Sequence, residues 1–332
     1  MVRFGAEPVT TLREPDSITL ADVVEARKRI EYAIPRTPLI RMEGAGAGDL
    51  YLKLENLQPI RSFKLRGAET AMAQLSSREL AAGVYTASAG NMAQGVAWAA
   101  RRRGTRCTVV VPDSAPQMKR EGIRRLGTEI VSLPYDQWWN ILATHRYQPL
   151  EPAHFIHPVS DLAVMAGNGT IGLEILDDLP DVESVLVPFG GGGLSCGIAA
   201  GIRGLKPEVR VFGCEVETAA PFAAALAAGH AIECPRTPTF VDGIGARTML
   251  AEMWPPAHRL LAGSLVVSLA EVSRAIQLLV ERAAVVGEGA AGASVAAGSK
   301  GLGGRGKVVC VVSGGNIDPA VLSTILAGGV PT

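Results

Sequence analysis

The chain has 332 residues, with 32 basic side chains against 32 acidic ones and a formal net charge of zero. That length allows one large domain or two unequal ones, and the charge balance leaves no bulk field to favour nucleic acid or an anionic membrane. Glycine is abundant at 38 residues and aromatics make up 5%, which suits an Ala/Val/Gly-rich α/β enzyme better than a β-sandwich or a disordered chain. Cys107, Cys196, Cys214, Cys234 and Cys310 are scattered, without the close spacing of a zinc site or redox pair, and read as buried thiols in a reducing compartment. Met1 to Thr11 lacks the basic-then-apolar pattern of a secretory signal. Apolar runs such as Leu265 to Leu269 are too short to span a bilayer, so a cytoplasmic location is expected.

In chain order, residues 1–16 read as an irregular arm. Thr19 with Asp22 three residues on resembles a capping box opening a helix through Ile30. Arg36 to Leu39 reads as a turn, Leu50 to Leu54 as a short strand, and Lys64 to about Gln74 as a helix. A strand at Gly83–Ala87 ends at Ser88-Ala89-Gly90-Asn91, and a helix at Met92–Arg103 follows at once. Next come a strand at Cys107–Val111, a helix at Ala115–Leu126 and a strand at Glu129–Leu133. This alternation predicts parallel βαβ units. Residues 134–158, rich in Pro, Trp and His, read as an irregular crossing between domains, with Trp138-Trp139 as a packed aromatic pair. The rhythm then resumes with a helix at Met165–Asp178, a strand at Ser184–Pro188 and a helix at Ser195–Gly204. Further strands are expected at Val209–Cys214, Ser264–Ser268 and Lys307–Val312. Further helices are expected at Ala219–Ala228 and Glu271–Arg282, with an Ala-rich one opened by Glu288-Gly289. No internal repeat or low-complexity tail is visible.

Four stretches carry chemistry. Lys64 stands just inside the start of a helix, where peptide N–H groups and the positive helix end favour a neutral amine. A neutral, partly desolvated amine can form a Schiff base with a carbonyl, although a lysine in isolation reads far more readily as a solvated residue beginning a helix. Gly190-Gly191-Gly192-Gly193-Leu194 joins a strand to a helix, so its N–H groups can converge on a phosphate. It lacks the Gly-Lys-Ser/Thr ending of a P-loop; a dinucleotide loop with Glu215 as its acid, or a packing turn, stays open. Ser88-Ala89-Gly90-Asn91 is a carboxylate cradle or a plain N-cap. Ser313-Gly314-Gly315-Asn316 ends a very apolar strand, the edge at which open parallel sheets bind ligands. An imine-forming lysine, a phosphate cradle, a carboxylate cradle and a hydroxyl are together what pyridoxal phosphate and an amino-acid substrate require. The cofactor withdraws electrons and the protein selects which bond breaks. A neutral hydroxyl such as Ser313 opposite the pyridine nitrogen would weaken the electron sink and favour prompt loss of a β-substituent.

These motifs resemble the fold-type II pyridoxal-phosphate enzymes of the threonine/serine dehydratase family. The resemblance is carried by Ser62-Phe63-Lys64-x-Arg66-Gly67-Ala68, Ser88-x-Gly90-Asn91, Gly190 to Leu194 and Ser313 to Asn316. Ala166-Gly167-x-Gly169-Thr170-Ile171-Gly172-Leu173-Glu174 and Lys206-Pro207 extend it, and it runs from about Ile18 to Asp318. It implies an α/β fold like that of tryptophan synthase β, two open twisted domains with the site between them. Residues 1–55 and 146–332 would form the large cofactor-binding domain and residues 56–145 the small substrate-side one. Lys64 would be the Schiff-base lysine and the proton shuttle at Cα, with Phe63 beside the cofactor. Gly190, Gly191, Gly192, Gly193 and Leu194 would hold the phosphate, and Ser313 would meet the pyridine nitrogen. Ser88, Ala89, Gly90 and Asn91 would serve the substrate carboxylate or cofactor O3′, and Glu288 would lie near the β-hydroxyl. The implied reaction is an α,β-elimination that converts an L-β-hydroxy amino acid to a 2-oxo acid and ammonia.

The departures bear on the substrate. Met92 stands where the family has His and Arg61 where it has Gly. A bulkier or more charged substrate, such as phenylserine or 3-hydroxyaspartate, therefore stands beside threonine and serine. Ala89 replaces the second Ser of racemases of this fold, which disfavours racemisation. Some relatives hold a divalent cation; Glu215 matches the first acid of that site, but Pro221 stands at the second, so no metal is expected. The five histidines form no spaced cluster and read as turn or surface residues. The rival readings are a β-replacement enzyme of cysteine-synthase type, a non-catalytic cofactor- or amino-acid-binding protein, and a nucleotide-binding oxidoreductase. No regulatory domain is expected after Asn316, no nucleic-acid or membrane partner, and assembly as a homodimer or homo-oligomer.

Overall fold

The structure, a computed structural model, describes residues 14–44, 48–115 and 117–331. Most of the expected N-terminal arm lies outside the described residues; Pro15–Ser17 form a single 3-10 turn. Among the described residues, ten strands build two sheets. β1 (Leu39–Arg41), β2 (Asp49–Leu54), β7 (Ser184–Pro188), β8 (Arg210–Val216), β9 (Gly263–Val267) and β10 (Lys307–Val312) form the larger, in the order β1-β2-β10-β7-β8-β9. β3 (Val84–Ala87), β4 (Cys107–Pro112), β5 (Glu129–Leu133) and β6 (His154–Phe155) form the smaller, in the order β5-β4-β3-β6. All pairings are parallel except β1 with β2. The smaller sheet is built from the chain between β2 and β7. β6 reaches its edge from beyond residue 145, the boundary expected for the small domain.

Strand composition explains the layering. β10 reads Lys-Val-Val-Cys-Val-Val, apolar on both faces, as a strand covered by helices on either side requires. Val309 and Val311 face one core with Val185 and Val187, and Val308, Cys310 and Val312 face the other with Leu186. The helix Leu20–Ile30 starts as expected, with Thr19 and Asp22 bonding reciprocally across its first turn. Helices Leu162–Asp178 and Gly193–Arg203 approach so closely that a Cβ on Gly197 would overlap the Met165 carbonyl, which accounts for the glycines at their crossing. Cys107, Cys196, Cys214 and Cys310 are buried free thiols, while Cys234 is half-buried. Among the described residues no helix is long and apolar enough to cross a membrane.

Two expectations need correcting. The turn expected at Arg36–Leu39 runs directly into β1, a three-residue edge strand too short to show alternation. The stretch 134–158 is not irregular: it holds a helix at Tyr135–Thr144 and β6. Pro134 in front of that helix is tolerated because the first helical N–H groups have no intrahelical partner.

One polar cluster fixes the helix Lys64–Gln74 against the large sheet. The Arg66 guanidinium, 2% exposed, donates to Glu55 from Nε and Nη2 at 2.8 Å each. It donates to Glu174 from Nη1 and Nη2 at 2.7 and 2.9 Å, and Nη1 also reaches Thr170 Oγ1 at 3.1 Å. Lys53 Nζ donates to Glu174 and to the Thr37 carbonyl at 2.6 Å each. Burial works against these charges, but the two carboxylates outweigh it and hold the Arg66 pKa above its ordinary value. Removing one member of a buried ionic cluster leaves a charge uncompensated, here that of Glu55, at a cost of about 3–5 kcal/mol. Arg66→Met is therefore expected to lower unfolding stability by that amount in a denaturant titration.

Candidate active site

A cavity of about 530 Å³ opens where both sheets end: Ala87 of β3, Pro112 of β4, Pro188 of β7 and Ser313 after β10 all line it. These are carboxyl ends of parallel strands, the position at which open α/β sheets bind ligands. Phe63, Lys64, Ser88, Ala89, Gly90, Asn91, Met92, Gly190 to Leu194, Glu288 and Ser313 all border this single space.

Lys64 heads its helix, and its Nζ donates to the Pro158 carbonyl at 2.7 Å. The amine lies 5.2 Å from the centroid of the Phe63 ring. Burial lowers its pKa to about 8, against the opposing pull of the Glu288 carboxylate. Phe63 is fixed from the other side, since its N–H donates to the Ser313 carbonyl at 3.0 Å and Ser62 pairs with Gly314.

Across the cavity, the glycine run enters the helix Gly193–Arg203 through Gly192 at φ 93°, a conformation that excludes most side chains. A Cβ on Gly191 would lie 2.6 Å from Val159 Cγ1, so that residue must also be glycine. The first N–H groups of such a helix have no intrahelical acceptor and attract an anion. A desolvated amine facing a glycine-walled helix N-terminus fits pyridoxal phosphate: the amine would take its aldehyde and the loop its phosphate.

The Ser88–Asn91 turn closes a third side. Ser88 N–H donates to the Val110 carbonyl at 3.0 Å, and Gly90 N–H to Ser88 Oγ at 3.2 Å. Asn91 Nδ2 donates to both Glu288 oxygens at 3.0 Å, while its Oδ1 accepts from Asn316 Nδ2 at 2.9 Å. The Asn91 amide thus orients Glu288, leaving the turn's backbone and the Ser88 hydroxyl as the groups suited to a carboxylate.

Two expected residues lie elsewhere. Arg61 is exposed, at φ 57°, and does not border the cavity; its carbonyl accepts from Gly315 N–H at 2.9 Å. Glu215 is buried away from it and serves the helix Pro221–Ala228. Its oxygens accept from Phe222 N–H and Ala223 N–H at 2.8 Å each, and from Ser264 Oγ at 2.5 Å.

Sequence reading missed other wall residues: Pro158, Val159, Arg236, Tyr135, Trp138 and Trp139. Only the Trp-Trp pair gave a signal, and it was read as packing. Nor did sequence spacing show that His145, His157 and Glu252 converge, with possible ligand atoms within 4.8 Å of one another. Both His157 nitrogens are engaged within the protein, however. Nδ1 accepts from Val159 and Ser160 N–H at 3.1 and 2.9 Å, and Nε2 meets the Leu142 carbonyl at 3.1 Å. Burial, together with the nearby His145, lowers its pKa to about 3, so the ring is neutral and clamps the turn that holds Pro158.

The fold and site define a pyridoxal-phosphate enzyme, and comparison with known proteins agrees. Residues 30–314 match the pyridoxal-phosphate dependent enzyme family, and the chain belongs to it. An L-threonine ammonia-lyase of Thermotoga maritima is 41% identical over 94% of this chain and 79% of the relative. A catabolic L-threonine dehydratase of Staphylococcus aureus is 35% identical over 96% of this chain and 95% of the relative. Among solved structures, maize serine racemase superposes with a TM-score of 0.86 at 29% identity, covering 94% of this chain and 97% of the other.

The Lys64 environment makes a pH-dependent prediction. Its folded pKa, about 8, lies below the ordinary lysine value of 10.5. In cofactor-free protein, acylation of Lys64 should rise through a midpoint near pH 8, followed by peptide mapping. Glu288→Gln removes the charge that favours the ammonium, so the midpoint should move lower still; an upward move would contradict this account.

Proposed function

We propose that this chain is a pyridoxal-phosphate-dependent dehydratase, an ammonia-lyase that converts an L-β-hydroxy amino acid of the threonine/serine class to a 2-oxo acid and ammonia. The observation that carries this reading is the Lys64 amine, desolvated to a pKa of about 8 and set between a glycine-walled helix N-terminus and the Ser88–Asn91 turn. The relatives named as threonine ammonia-lyases and dehydratases support the same reaction class.

The cofactor, when bound, supplies the electron sink for charge developing at Cα. In this reading the helix beginning at Gly193 would hold the phosphate, and Ser313 would offer the pyridine nitrogen a neutral hydroxyl. The Ser88–Asn91 turn receives the substrate carboxylate and so fixes which face of Cα meets Lys64. Lys64, as a free amine, takes the Cα proton, a role its lowered pKa suits near neutral pH. Glu288, oriented by Asn91 and beyond it by Asn316, would stand at the β-hydroxyl, which takes up the proton that Lys64 removed from Cα and leaves as water. Ala89 offers no hydroxyl to return a proton from the opposite face, which favours elimination over racemisation. The proposal also treats residues 1–55 and 146–332 as one lobe and 56–145 as the other, except that β6 crosses to the sheet of the second. It places the protein in the cytoplasm, where buried free thiols are suited, as a homodimer.

Wild type and Lys64→Ala would be compared by near-violet absorbance and by oxo-acid release from L-threonine and L-serine. Wild type should be yellow and active; the variant should lose the bound-cofactor band and at least about a thousandfold in rate. A protein that stays colourless after cofactor is added, or a fully active variant, would overturn the proposal.

A further inference from the structure

Three aromatic rings on the helix Tyr135–Thr144 border the cavity: Tyr135, Trp138 and Trp139. Their spacing puts them on one helical face. They touch as a cluster, with the Tyr135 and Trp139 rings near-parallel at 12° and centroids 6.4 Å apart, and Tyr135 and Trp138 at 5.7 Å. Behind them lies a core that includes Tyr85, Val110, Ile141 and Leu142, so the wall is backed rather than loose. Yet the indoles are only half-buried, and Tyr135 is 43% exposed. Apolar surface left bare at a cavity mouth is characteristic of a binding face.

The wall is anchored beside the substrate end of the site. Trp138 Nε1 donates to the Val110 carbonyl at 3.2 Å, and Ser88 N–H donates to that same oxygen at 3.0 Å. One carbonyl therefore sets both the start of the carboxylate-binding turn and the edge of the aromatic wall. Met92, on the helix that follows the turn, borders the cavity but is buried in the core behind the turn, so it adds no further bare surface. The methyl of threonine is too small to cover such a surface, whereas an aryl group on the β-carbon could stack on it.

We infer that this site, on the functional reading above, is built for β-hydroxy amino acids with an aromatic β-substituent, and that Trp139 is a specificity-determining residue. Lys64 takes the substrate's Cα proton and passes it to the departing β-hydroxyl, which leaves as water. Hydrolysis returns that water, so the net products are an aromatic 2-oxo acid and ammonia.

The test uses holoenzyme with L-threo-phenylserine, L-threonine and L-threo-3-hydroxyaspartate as substrates. The ratio of kcat/KM for phenylserine to that for threonine should exceed one in wild type. It should fall about tenfold in Trp139→Ala and recover in Trp139→Phe, which restores a ring. A ratio unmoved by Trp139→Ala, or threonine preferred throughout, would overturn the inference while leaving the dehydratase reading intact. So would a preference for 3-hydroxyaspartate, which would point to Arg236, another residue bordering the cavity. If no substrate is turned over, the dehydratase reading fails separately, and binding still decides the matter. L-phenylalanine should perturb the cofactor absorbance at about tenfold lower concentration than L-alanine, and Trp139→Ala should abolish that difference; equal affinities would overturn the inference.

Discussion

The site depends on a charge cluster that takes no part in the chemistry. Arg66 uses its whole guanidinium on Glu55, Glu174 and Thr170. These partners belong to two elements, the turn after β2 and the long helix Leu162–Asp178, and Arg66 ties the Lys64 helix to both. Lys64 lies two residues away on the helix thus fixed. An imine-forming amine must meet a carbonyl at a set place, and misplacement by an ångström is costly in rate. Buried ion pairs are poor sources of net stability, since desolvation offsets most of their attraction. Their value here is that few arrangements satisfy all these donors and acceptors, which leaves the helix one seat.

Lys64 is tuned by the opposite means. Its amine meets a neutral carbonyl at Pro158, with Phe63 close by. Burial therefore dominates, and the ammonium form is disfavoured without being abolished. The segment 157–160 links this amine to the glycine loop. Pro158 accepts from Lys64 while Val159 packs on Gly191, and the neutral His157 ring ties the segment together. The two residues that would grip the cofactor's ends thus rest on one short turn.

Much of this was legible in the sequence because it rests on local patterns. The glycine run between β7 and its helix, the lysine at a helix start and the strand-end turns at Ser88 and Ser313 need no knowledge of distant partners. What escaped the sequence depends on long-range contact. Asn91 read as a ligand for substrate or cofactor, but its amide is directed by Glu288 and Asn316, both more than 190 positions away. Trp138 and Trp139 read as packing, which is half of their environment; the other half is visible only once β4 brings Val110 beneath them. Arg61 drew notice through its neighbours in the motif, yet its side chain lies outside the cavity. The helix at Tyr135–Thr144 was hidden by flanking proline and aromatic residues, whose composition imitates a loop.

The order of the large sheet has a consequence for how the chain is made. β10 is the last of the ten described strands to be synthesised, yet it lies between β2 and β7 near the sheet's centre. Until it inserts, β2 and β7 have no common partner, and Ser313 and Asn316 have not reached the other groups of the site. The four strands of the smaller sheet, by contrast, leave the ribosome within one continuous stretch. Domains generally form as their segments emerge, and distant pairings are slow because loop closure precedes any reward. A nascent chain should therefore carry a formed smaller sheet long before it has a cofactor site, which makes premature capture of pyridoxal phosphate on the ribosome physically disfavoured.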